Sequence, residues 1–543
     1  MEQFELIAKT FQGLEEVLAQ ELTELGANDI QIGRRMVSFS GDKEMMYRAN
    51  FCLRTAVRIL KPIKHFKAKD ADDVYTAVRS IDWSKYLDVE TTFSVDSVVF
   101  SQEFRHSKFV AYKVKDAIVD YFRETQGKRP NIRITNPDIR LNIHIAESDC
   151  TLSLDSSGES LHIRGYRTAT VDAPINEVLA AGLIKLSGWN CDTDFIDPFC
   201  GSGTILIEAA LMARNIYPGV FRKEYGFEKW KDFDREMFDR IYNDDSNERG
   251  FDHKIYGYDL NLRAIEAATA NAKSAGVADC IVLKQQDFKK FTQPEEKALI
   301  ITNPPYGERI TSPDLLGLYR AIGERLKHEF SGGEAWIISY KQECFDEIGL
   351  KPSFKIPLYN GSLDCEFRKY QLFSGKLDEF RAQGGDVKTD EERSRMAEKR
   401  RFKQHRGEFN GRFANRPEGD DEESAEYALL RNKHREFERA FGRRDREERE
   451  ERGERRGGGD RRGGGDRKNF DRRGGDHRGG DRDRKNFDRR NDRRREGGDF
   501  RGERSERGER NNFGGERNDR RREGFGGKKS FDKKPFDRKP KNY

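Results

Sequence analysis

The sequence contains few cysteines, and their arrangement argues against two kinds of site. Seven cysteines are scattered through 543 residues, and no two of them form a C-x-x-C pair. A disulfide framework or a zinc site would need cysteines at set spacings, so both are excluded. We therefore expect reduced thiols, no bound metal and a cytoplasmic location.

Long apolar segments are also missing. No run approaches the roughly 20 apolar residues with which a helix crosses a bilayer. The first residues lack the charged-then-apolar layout of a signal peptide. These absences predict no membrane partner, and nothing in the sequence indicates an obligate protein partner.

The sequence has no large excess of either charge, but its charge is unevenly distributed. The net charge is +5, whereas residues 451–543 alone contain 33 Lys and Arg against 20 Asp and Glu. From about residue 442 the composition cannot bury enough apolar surface to fold. We predict a disordered, basic Arg/Gly-rich tail over 442–543, after a charged and partly helical linker over 376–441. The tail could contact RNA through phosphates and stacking, or it could only solubilise the protein.

Among the motifs that are present, Asn303-Pro304-Pro305-Tyr306 carries the most information. It follows the apolar run 298–302, which is typical of a buried strand, and two prolines cannot extend a strand. The chain must turn at the carboxyl end of that strand, where open α/β sheets bind ligands. The Asn303 oxygen and the Pro304 carbonyl can accept both hydrogens of a base amine and orient its lone pair. The Tyr306 ring can stack on the base.

A glycine loop lies upstream of this motif. Asp197 ends a short strand, a helix begins near residue 205, and between them lie Pro198, Phe199, Cys200, Gly201, Ser202, Gly203 and Thr204. The loop lacks the third glycine of the dinucleotide fingerprint and the Gly-Lys-Ser/Thr of a phosphate loop. Its bare backbone lets a cofactor approach closely. The acid before it suits the positively charged end of S-adenosylmethionine.

Two further predicted strands lead to acids. Asp259 ends the second strand and is placed to accept hydrogen bonds from ribose hydroxyls, as in Rossmann-like folds. Asp287 follows the third strand and could accept from the adenine amino group, while Phe288 could pack on the adenine ring. A solvated helix cap would explain each acid alone. Three acids at three successive strand ends predict a nucleoside pocket.

These motifs together resemble class I S-adenosylmethionine-dependent amino-methyltransferases. Residues 160–167 and 173–181 are similar to the segment that joins an RNA-binding THUMP domain to its methyltransferase domain, and residues 215–230 resemble the bacterial branch. The motifs are most similar to those of the bifunctional bacterial 23S rRNA guanine methyltransferases. They resemble the N-terminal half of these enzymes, which forms N2-methylguanine. In this chain the basic tail takes the place of their second methyltransferase module.

The resemblance implies a fold and a division into domains. It predicts an α/β protein with a ferredoxin-like segment over 1–44, a THUMP RNA-binding domain over 45–156 and a Rossmann-like methyltransferase domain over 157–375. An antiparallel pair of strands should close the parallel sheet of the last domain. The resemblance also implies that Asp197, Pro198 and the loop 200–204 hold the methionine part of the cofactor, and that Asn303 borders both the cofactor and the target amine.

Basic residues outside the tail are candidates for contacts with RNA phosphates. Four lie on a predicted helix of the THUMP segment and two in the joining segment: Arg105, Lys108, Lys113, Lys115, Arg164 and Arg167. A solvated helix face would explain each of the four helical residues equally well.

The sequence therefore predicts an RNA methyltransferase that forms N2-methylguanosine in 23S rRNA or in its assembly intermediate. Four alternatives are a tRNA guanine-N2 methyltransferase, an adenine-N6 methyltransferase, a protein glutamine methyltransferase, and a non-catalytic RNA-binding factor for ribosome assembly. Because the cofactor is a good methyl donor, alignment should dominate the rate, and we expect no strong general base.

Overall fold

The computed structural model describes residues 2–382 apart from residues 105, 172, 291, 293–297, 308–313, 374, 376–379 and 381. Its two halves are built on two sheets, one of eight strands and one of seven. The predicted linker and tail lie outside the described residues, except for residues 380 and 382.

The N-terminal half alternates strands and helices. Its strands are β1 (Phe4–Lys9), β2 (Asn28–Gly33), β3 (Met36–Gly41), β4 (Arg58–Lys67), β5 (Thr92–Phe100), β6 (Asn131–Ile132), β7 (Ile139–Ala146) and β8 (Asp149–Asp155). Its helices are α1 (Glu15–Leu25), α2 (Lys43–Cys52), α3 (Ala71–Arg79) and α4 (Ser107–Gln126). The strands lie in the order β2-β3-β1-β4-β8-β7-β5-β6.

Strand β4 joins the ferredoxin-like segment to the THUMP segment. It pairs antiparallel with β1 on one side and with β8 on the other, so the two segments share one continuous sheet. In β7, every second residue from Ile139 to Ile145 is buried. This is the alternation expected of a strand with one face on the core.

The C-terminal half has a mostly parallel sheet covered by helices. Its strands are β9 (Asp194–Asp197), β10 (Ile255–Asp259), β11 (Ile281–Gln285), β12 (Ala298–Thr302), β13 (Glu334–Ser339), β14 (Phe354–Asn360) and β15 (Leu363–Gln371). Its helices are α5 (Glu177–Ser187), α6 (Thr204–Ala213), α7 (Arg235–Tyr242), α8 (Leu262–Ser274), α9 (Leu315–Glu329) and α10 (Gln342–Glu347).

The strand order confirms the predicted Rossmann-like class. The order is β11-β10-β9-β12-β13-β15-β14. Strands β9 to β13 pair in parallel, whereas β15 runs antiparallel to both β13 and β14. All residues of β9 and β12 are buried, as expected of central strands with both faces covered. Such strands carry apolar runs rather than an alternating pattern.

An aromatic segment of the C-terminal half completes the core of the N-terminal half. Residues 218–242 form two short 3-10 helices followed by α7. The ring centroid of Phe227 lies 4.4 Å from that of Tyr47 on α2 and 5.1 Å from that of Phe238 on α7. Such aromatic packing adds to the burial of apolar area. The two halves are therefore held together by a shared core.

A buried polar cluster also lies between the halves. Arg164 is only 2% exposed, and its Nε donates to Glu208 Oε1 on α6 at 3.4 Å. The Tyr166 hydroxyl donates to the same oxygen at 2.9 Å, and Arg164 Nη2 donates to the Arg54 carbonyl. The prediction that Arg164 contacts RNA is therefore wrong, because a guanidinium buried in this way cannot reach a phosphate.

Candidate cofactor and target-base site

A cavity of about 690 Å³ opens at the carboxyl ends of the central strands. The chain runs outward from β9 to β11 and then returns to β12 on the other side, so the cavity lies at a topological switch point, the usual ligand site of such sheets. The predicted site residues that line it are Asp197, Pro198, Cys200, Gly201, Ser202, Thr204, Asp259, Asp287, Phe288, Asn303, Pro304, Pro305 and Tyr306. Of the predicted cofactor and catalytic residues, only Gly203 does not line the cavity.

The glycine loop turns sharply between β9 and α6. Gly201 and Gly203 have φ angles of +52° and +82°, a region that favours glycine. A Cβ atom on Gly203 would lie 3.0 Å from the Cβ of Ala268 on α8, so this glycine lets the loop pack on α8. A Cβ atom on Gly201 would meet only one side-chain carbon within 4 Å, at 3.8 Å. The loop therefore presents bare backbone to the cavity.

Asp197 lies at the base of the glycine loop and is 1% exposed. Its Oδ1 accepts from the Thr302 hydroxyl at 2.7 Å and from the Phe199 backbone N–H at 3.1 Å. Burial raises the pKa of the Asp197 carboxyl to about 7, against the effect of these two hydrogen bonds. A cationic ligand group in the cavity would offset that desolvation and favour the carboxylate.

The acids of the next two strands anchor the loops around the cavity. Asp259 Oδ2 accepts from the Gly201 N–H at 3.0 Å, and its Oδ1 accepts from the Asn261 N–H at 2.8 Å. Asp287 Oδ1 accepts from the Lys289 N–H at 3.0 Å. Each carboxylate oxygen can accept a second hydrogen bond, so both acids still have capacity for a ligand.

Phe288 supplies an apolar wall to the cavity. It is 4% exposed, and its ring centroid lies 5.3 Å from that of Phe199 and 6.2 Å from that of Phe330. These neighbours fix the orientation of the ring. An aromatic wall between two acids suits a purine base with an exocyclic amine and a sugar.

Asn303 follows β12 directly and carries an unusual oxygen. Among the residues that the structure describes, none forms a hydrogen bond with Asn303 Oδ1, although this atom is buried. Buried side-chain oxygens normally have a partner, since leaving one unpaired costs about 1–3 kcal/mol. Asn303 lines the cavity, so a ligand that donates a hydrogen bond there would satisfy it.

Tyr306 closes the motif and is held by side chains from two other elements. Its hydroxyl accepts from Asn360 Nδ2 at 2.6 Å, at the end of β14. Its ring meets that of Tyr340 edge-on, with centroids 5.4 Å apart. Gly307 follows with a φ angle of +83°, a region that favours glycine.

Several residues that the sequence did not single out for the cofactor also build this site. Arg167, predicted to contact RNA, instead donates to Ser202 Oγ at 3.0 Å, to Thr204 Oγ1 at 2.9 Å and to Glu177 Oε1 at 2.8 Å. Its guanidinium therefore braces the glycine loop, a role that differs from the predicted contact with RNA phosphates. Local sequence patterns did not indicate this role, because Arg167 lies 35 positions before Ser202.

Asn271 braces the same loop from α8. It is fully buried, its Nδ2 donates to the Ser202 carbonyl at 3.0 Å, and its Oδ1 accepts from the N–H groups of Thr168 and Ala169 at 2.8 and 3.0 Å. These bonds hold Thr168 and Ala169 against the glycine loop. The wall of the cavity includes nearby residues of the same segment, namely Thr170, Val171, Ala173, Pro174 and Ile175. A buried amide within an amphipathic helix is the signal that could have identified it.

The remaining predicted RNA-binding residues lie on or near α4. Lys108 is exposed, whereas Lys113 forms an ion pair with Asp72 at 2.6 Å and Lys115 one with Asp116 at 2.8 Å. Arg105 lies outside the described residues. The same helix exposes two aromatic rings, Phe109 (52%) and Tyr112 (57%). These two rings, with the lysines beside them, define the α4 surface.

The described part of the chain contains neither a metal-binding cluster nor a membrane-spanning helix. No group of three or more His, Cys, Asp or Glu side chains there has the arrangement of a metal site. No helix within the same residues combines the length and apolar character needed to span a membrane.

Three family models match successive parts of the chain. Residues 5–60 match an RlmL ferredoxin-like domain, residues 68–155 a THUMP domain, and residues 164–369 an RMKL-like methyltransferase domain. The first two matches correspond to the eight-stranded sheet, and the third corresponds to the seven-stranded sheet. The first two matches meet near β4, the strand that joins their two segments in one sheet.

Individual relatives agree with these matches. A protein of Synechocystis sp. (strain ATCC 27184 / PCC 6803 / Kazusa), provisionally named an RNA methyltransferase, is 38% identical over 369 residues, which are 67% of this chain and 96% of the relative. The crystal structure of SMU.472, provisionally named a methyltransferase and complexed with SAH, has a TM-score of 0.63 at 31% identity and covers 69% of this chain and 100% of that chain. A structure from Listeria monocytogenes, named as a predicted N6-adenine-specific DNA methylase, has a TM-score of 0.61 at 31% identity and covers 68% of this chain and 96% of that chain.

Proposed function

Because the chain belongs to the THUMP-containing, S-adenosylmethionine-dependent class I RNA methyltransferases, we propose that it methylates the N2 amine of a guanine in 23S rRNA. The observation that carries the proposal is the buried and unpaired Asn303 Oδ1 in the wall of the cavity. An exocyclic amine is a weak nucleophile until its hydrogens are held. Asn303 Oδ1 and the Pro304 carbonyl are the two acceptors that would hold them.

The cofactor half of the cavity fits S-adenosylmethionine, which supplies the methyl group when bound. Asp197 faces the cationic end of the cofactor, and the Gly201 backbone allows close approach. Asp259 receives the ribose hydroxyls, while Asp287 and Phe288 receive the adenine. The complex of SMU.472 with SAH supports this choice of cofactor, since SAH is the product that remains after methyl transfer.

The target base enters the other half of the cavity, beside Tyr306. A base within a stacked helix cannot reach a closed pocket, so it must first be turned out of the RNA. The Tyr306 ring then stacks on the base, and Asn303 and Pro304 orient its amine toward the methyl group. Transfer leaves a proton on the amine, which passes to solvent, so the site needs alignment rather than a strong base.

The choice of guanine N2 in 23S rRNA rests on two features of the chain. Its ferredoxin-like domain matches the RlmL model, and the motifs resemble those of the N2-guanine half of the bifunctional 23S rRNA enzymes. The relative named as an N6-adenine-specific DNA methylase gives adenine N6 as the second candidate, since both amines fit the same pair of acceptors. A tRNA guanine is the third.

One experiment separates these substrates. Purified protein is incubated with S-adenosylmethionine and with unmodified 23S rRNA, unmodified tRNA or duplex DNA, and the products are digested and identified by nucleoside mass spectrometry. We expect N2-methylguanosine in 23S rRNA, and none with the Asn303→Ala variant. N6-methyladenosine, or methylation of tRNA alone, would overturn the proposed substrate. A protein that binds the cofactor but methylates none of the three would instead be a binding factor.

A further inference from the structure

Asn360 stands at a turn, yet the turn does not account for it. An Asn before a Gly usually serves a hairpin in which both central residues have positive φ. Here Gly361 has a φ angle of +66°, but Asn360 is the last residue of β14 and keeps a strand conformation. The two-residue loop is Gly361-Ser362, because Asn360 already pairs with Leu363 across the hairpin.

The side chain of Asn360 points into the site instead. Its Nδ2 donates to the Tyr306 hydroxyl at 2.6 Å, and Asn360 itself lines the cavity. The two residues are 54 positions apart in the sequence. The bond therefore links the terminal hairpin to the residue on which the target base would stack.

The hairpin that carries Asn360 is fixed by the N-terminal half. A Cβ atom on Gly13 would lie 2.6 Å from the Leu358 side chain and 2.8 Å from the Pro357 carbonyl, so β14 packs closely on that glycine. The Arg35 guanidinium lies 5.5 Å from the centroid of the Tyr359 ring, within cation–π distance. The residues just before Asn360 are therefore held by the ferredoxin-like segment.

We propose that Asn360 is a positioning residue for the methyl-transfer reaction. It holds the Tyr306 ring in the orientation that accepts the target base, and it acts through the Tyr306 hydroxyl. This inference rests on the proposed function of Tyr306. It adds that an amide outside the Asn303–Tyr306 motif, on the last hairpin of the sheet, sets how well that motif works.

A double-mutant cycle tests this role. The proteins are the wild type, Asn360→Ala, Tyr306→Phe and the double variant, and the assay follows labelled methyl transfer to RNA. Each single variant should lower kcat about threefold to tenfold, since each removes the same hydrogen bond. The double variant should have about the same kcat as the single variant with the lower kcat, because the second substitution removes a hydrogen bond that is already broken. The Kd of S-adenosylmethionine should stay unchanged in all four.

Controls separate positioning from a general effect on folding. Asn360→Asp keeps an oxygen that can accept from the Tyr306 hydroxyl and should retain more activity than Asn360→Ala. Ser362→Ala changes an exposed residue of the same turn and should match the wild type. Thermal unfolding of the four proteins of the cycle should show the same coupling, with the Tm change of the double variant smaller than the sum of the two single changes.

The outcomes are distinct. Multiplicative losses of kcat with additive Tm changes, or an unchanged kcat in Asn360→Ala, would overturn the positioning role. A wild type that binds the cofactor but methylates no RNA would count against the proposed function, and the Tm coupling would then still test the bond itself: additive Tm changes would refute it.

Discussion

The carboxyl of Asp197 should make both stability and cofactor binding depend on pH. Its pKa is about 7 in the folded protein because it is buried, against an ordinary value of 3.8. Between these values the folded protein binds a proton that the unfolded chain has lost, so stability falls as the pH rises through this window. Each pKa unit corresponds to about 1.4 kcal/mol. A shift of this size therefore lowers the free energy of unfolding by about 4 kcal/mol above pH 7, compared with a pH below the ordinary pKa. That stability should be regained in Asp197→Asn.

Bound cofactor should lower the pKa of the Asp197 carboxyl, whereas burial raises it. A cation in the cavity favours the ionised carboxyl, so affinity for S-adenosylmethionine should rise with pH. About a tenth of a carboxyl with a pKa near 7 is ionised at pH 6, and about nine-tenths at pH 8, so the Kd should fall about tenfold between them.

Calorimetric titration and urea unfolding of wild type and Asp197→Asn between pH 5 and 8 measure both effects. The variant should bind the cofactor more weakly, and its affinity should lack the part of the pH dependence that the wild type owes to Asp197. Without cofactor, the variant should be more stable than the wild type at pH 8. Subtracting the variant also removes the titration of the cofactor's own amine. Equal pH slopes of binding in the two proteins would refute the assignment of Asp197 to the cationic end of the cofactor.

Three further predictions concern the amine acceptor, the buried ion pair and the α4 surface. Asn303→Ala should lower kcat at least roughly 100-fold in steady-state kinetics while calorimetry shows nearly unchanged cofactor affinity, because a pre-organised acceptor is lost. Glu208→Ala should lower the free energy of unfolding in urea by about 3–5 kcal/mol, since Arg164 is left buried and unpaired. Phe109→Ala with Tyr112→Ala should raise the Kd for RNA about tenfold in filter binding, because exposed rings stack on bases, and should leave kcat at saturating RNA unchanged.

A control variant or a contradicting result tests each of these. If Asn303→Ala lost cofactor affinity in step with turnover, Asn303 would support the pocket rather than the amine. Glu208→Gln keeps the volume of the side chain and an oxygen for Arg164, and should cost less than Glu208→Ala; equal costs would assign the effect to the lost negative charge rather than to the hydrogen bond. For the α4 surface, Ile32→Ala removes an equally exposed apolar side chain on β2 and should leave RNA affinity alone.

Local patterns in the sequence predicted much of the fold. The bounds of β12 agree with the predicted strand over 298–302, because an uncharged apolar run is a complete signal within a few residues. The three strand-end acids converge because neighbouring parallel strands end at one edge of the sheet. Each of these expectations needed only the strand pattern and the parallel pairing.

Features that depend on packing between distant segments could not be predicted in this way. Arg164 looks like any basic residue of an RNA-binding protein, and only the meeting of the two halves buries it against Glu208. Asn360 looks like a turn residue, and its contact with Tyr306 follows from the place of β14 at the edge of the sheet, next to β15. The helix α10 was not predicted, since its six residues are too few to show a period.

The central proposal is that the protein methylates the N2 amine of a guanine in 23S rRNA, and that the reaction takes place in this cavity. The most direct test is nucleoside mass spectrometry of 23S rRNA from cells that lack the protein, from the same cells with the wild-type gene restored, and from cells with Asn303→Ala. The account predicts that one N2-methylguanosine is lost, returns with the wild type and stays absent with the variant. An unchanged content of N2-methylguanosine in 23S rRNA, with a methylated nucleoside lost from tRNA instead, would contradict it.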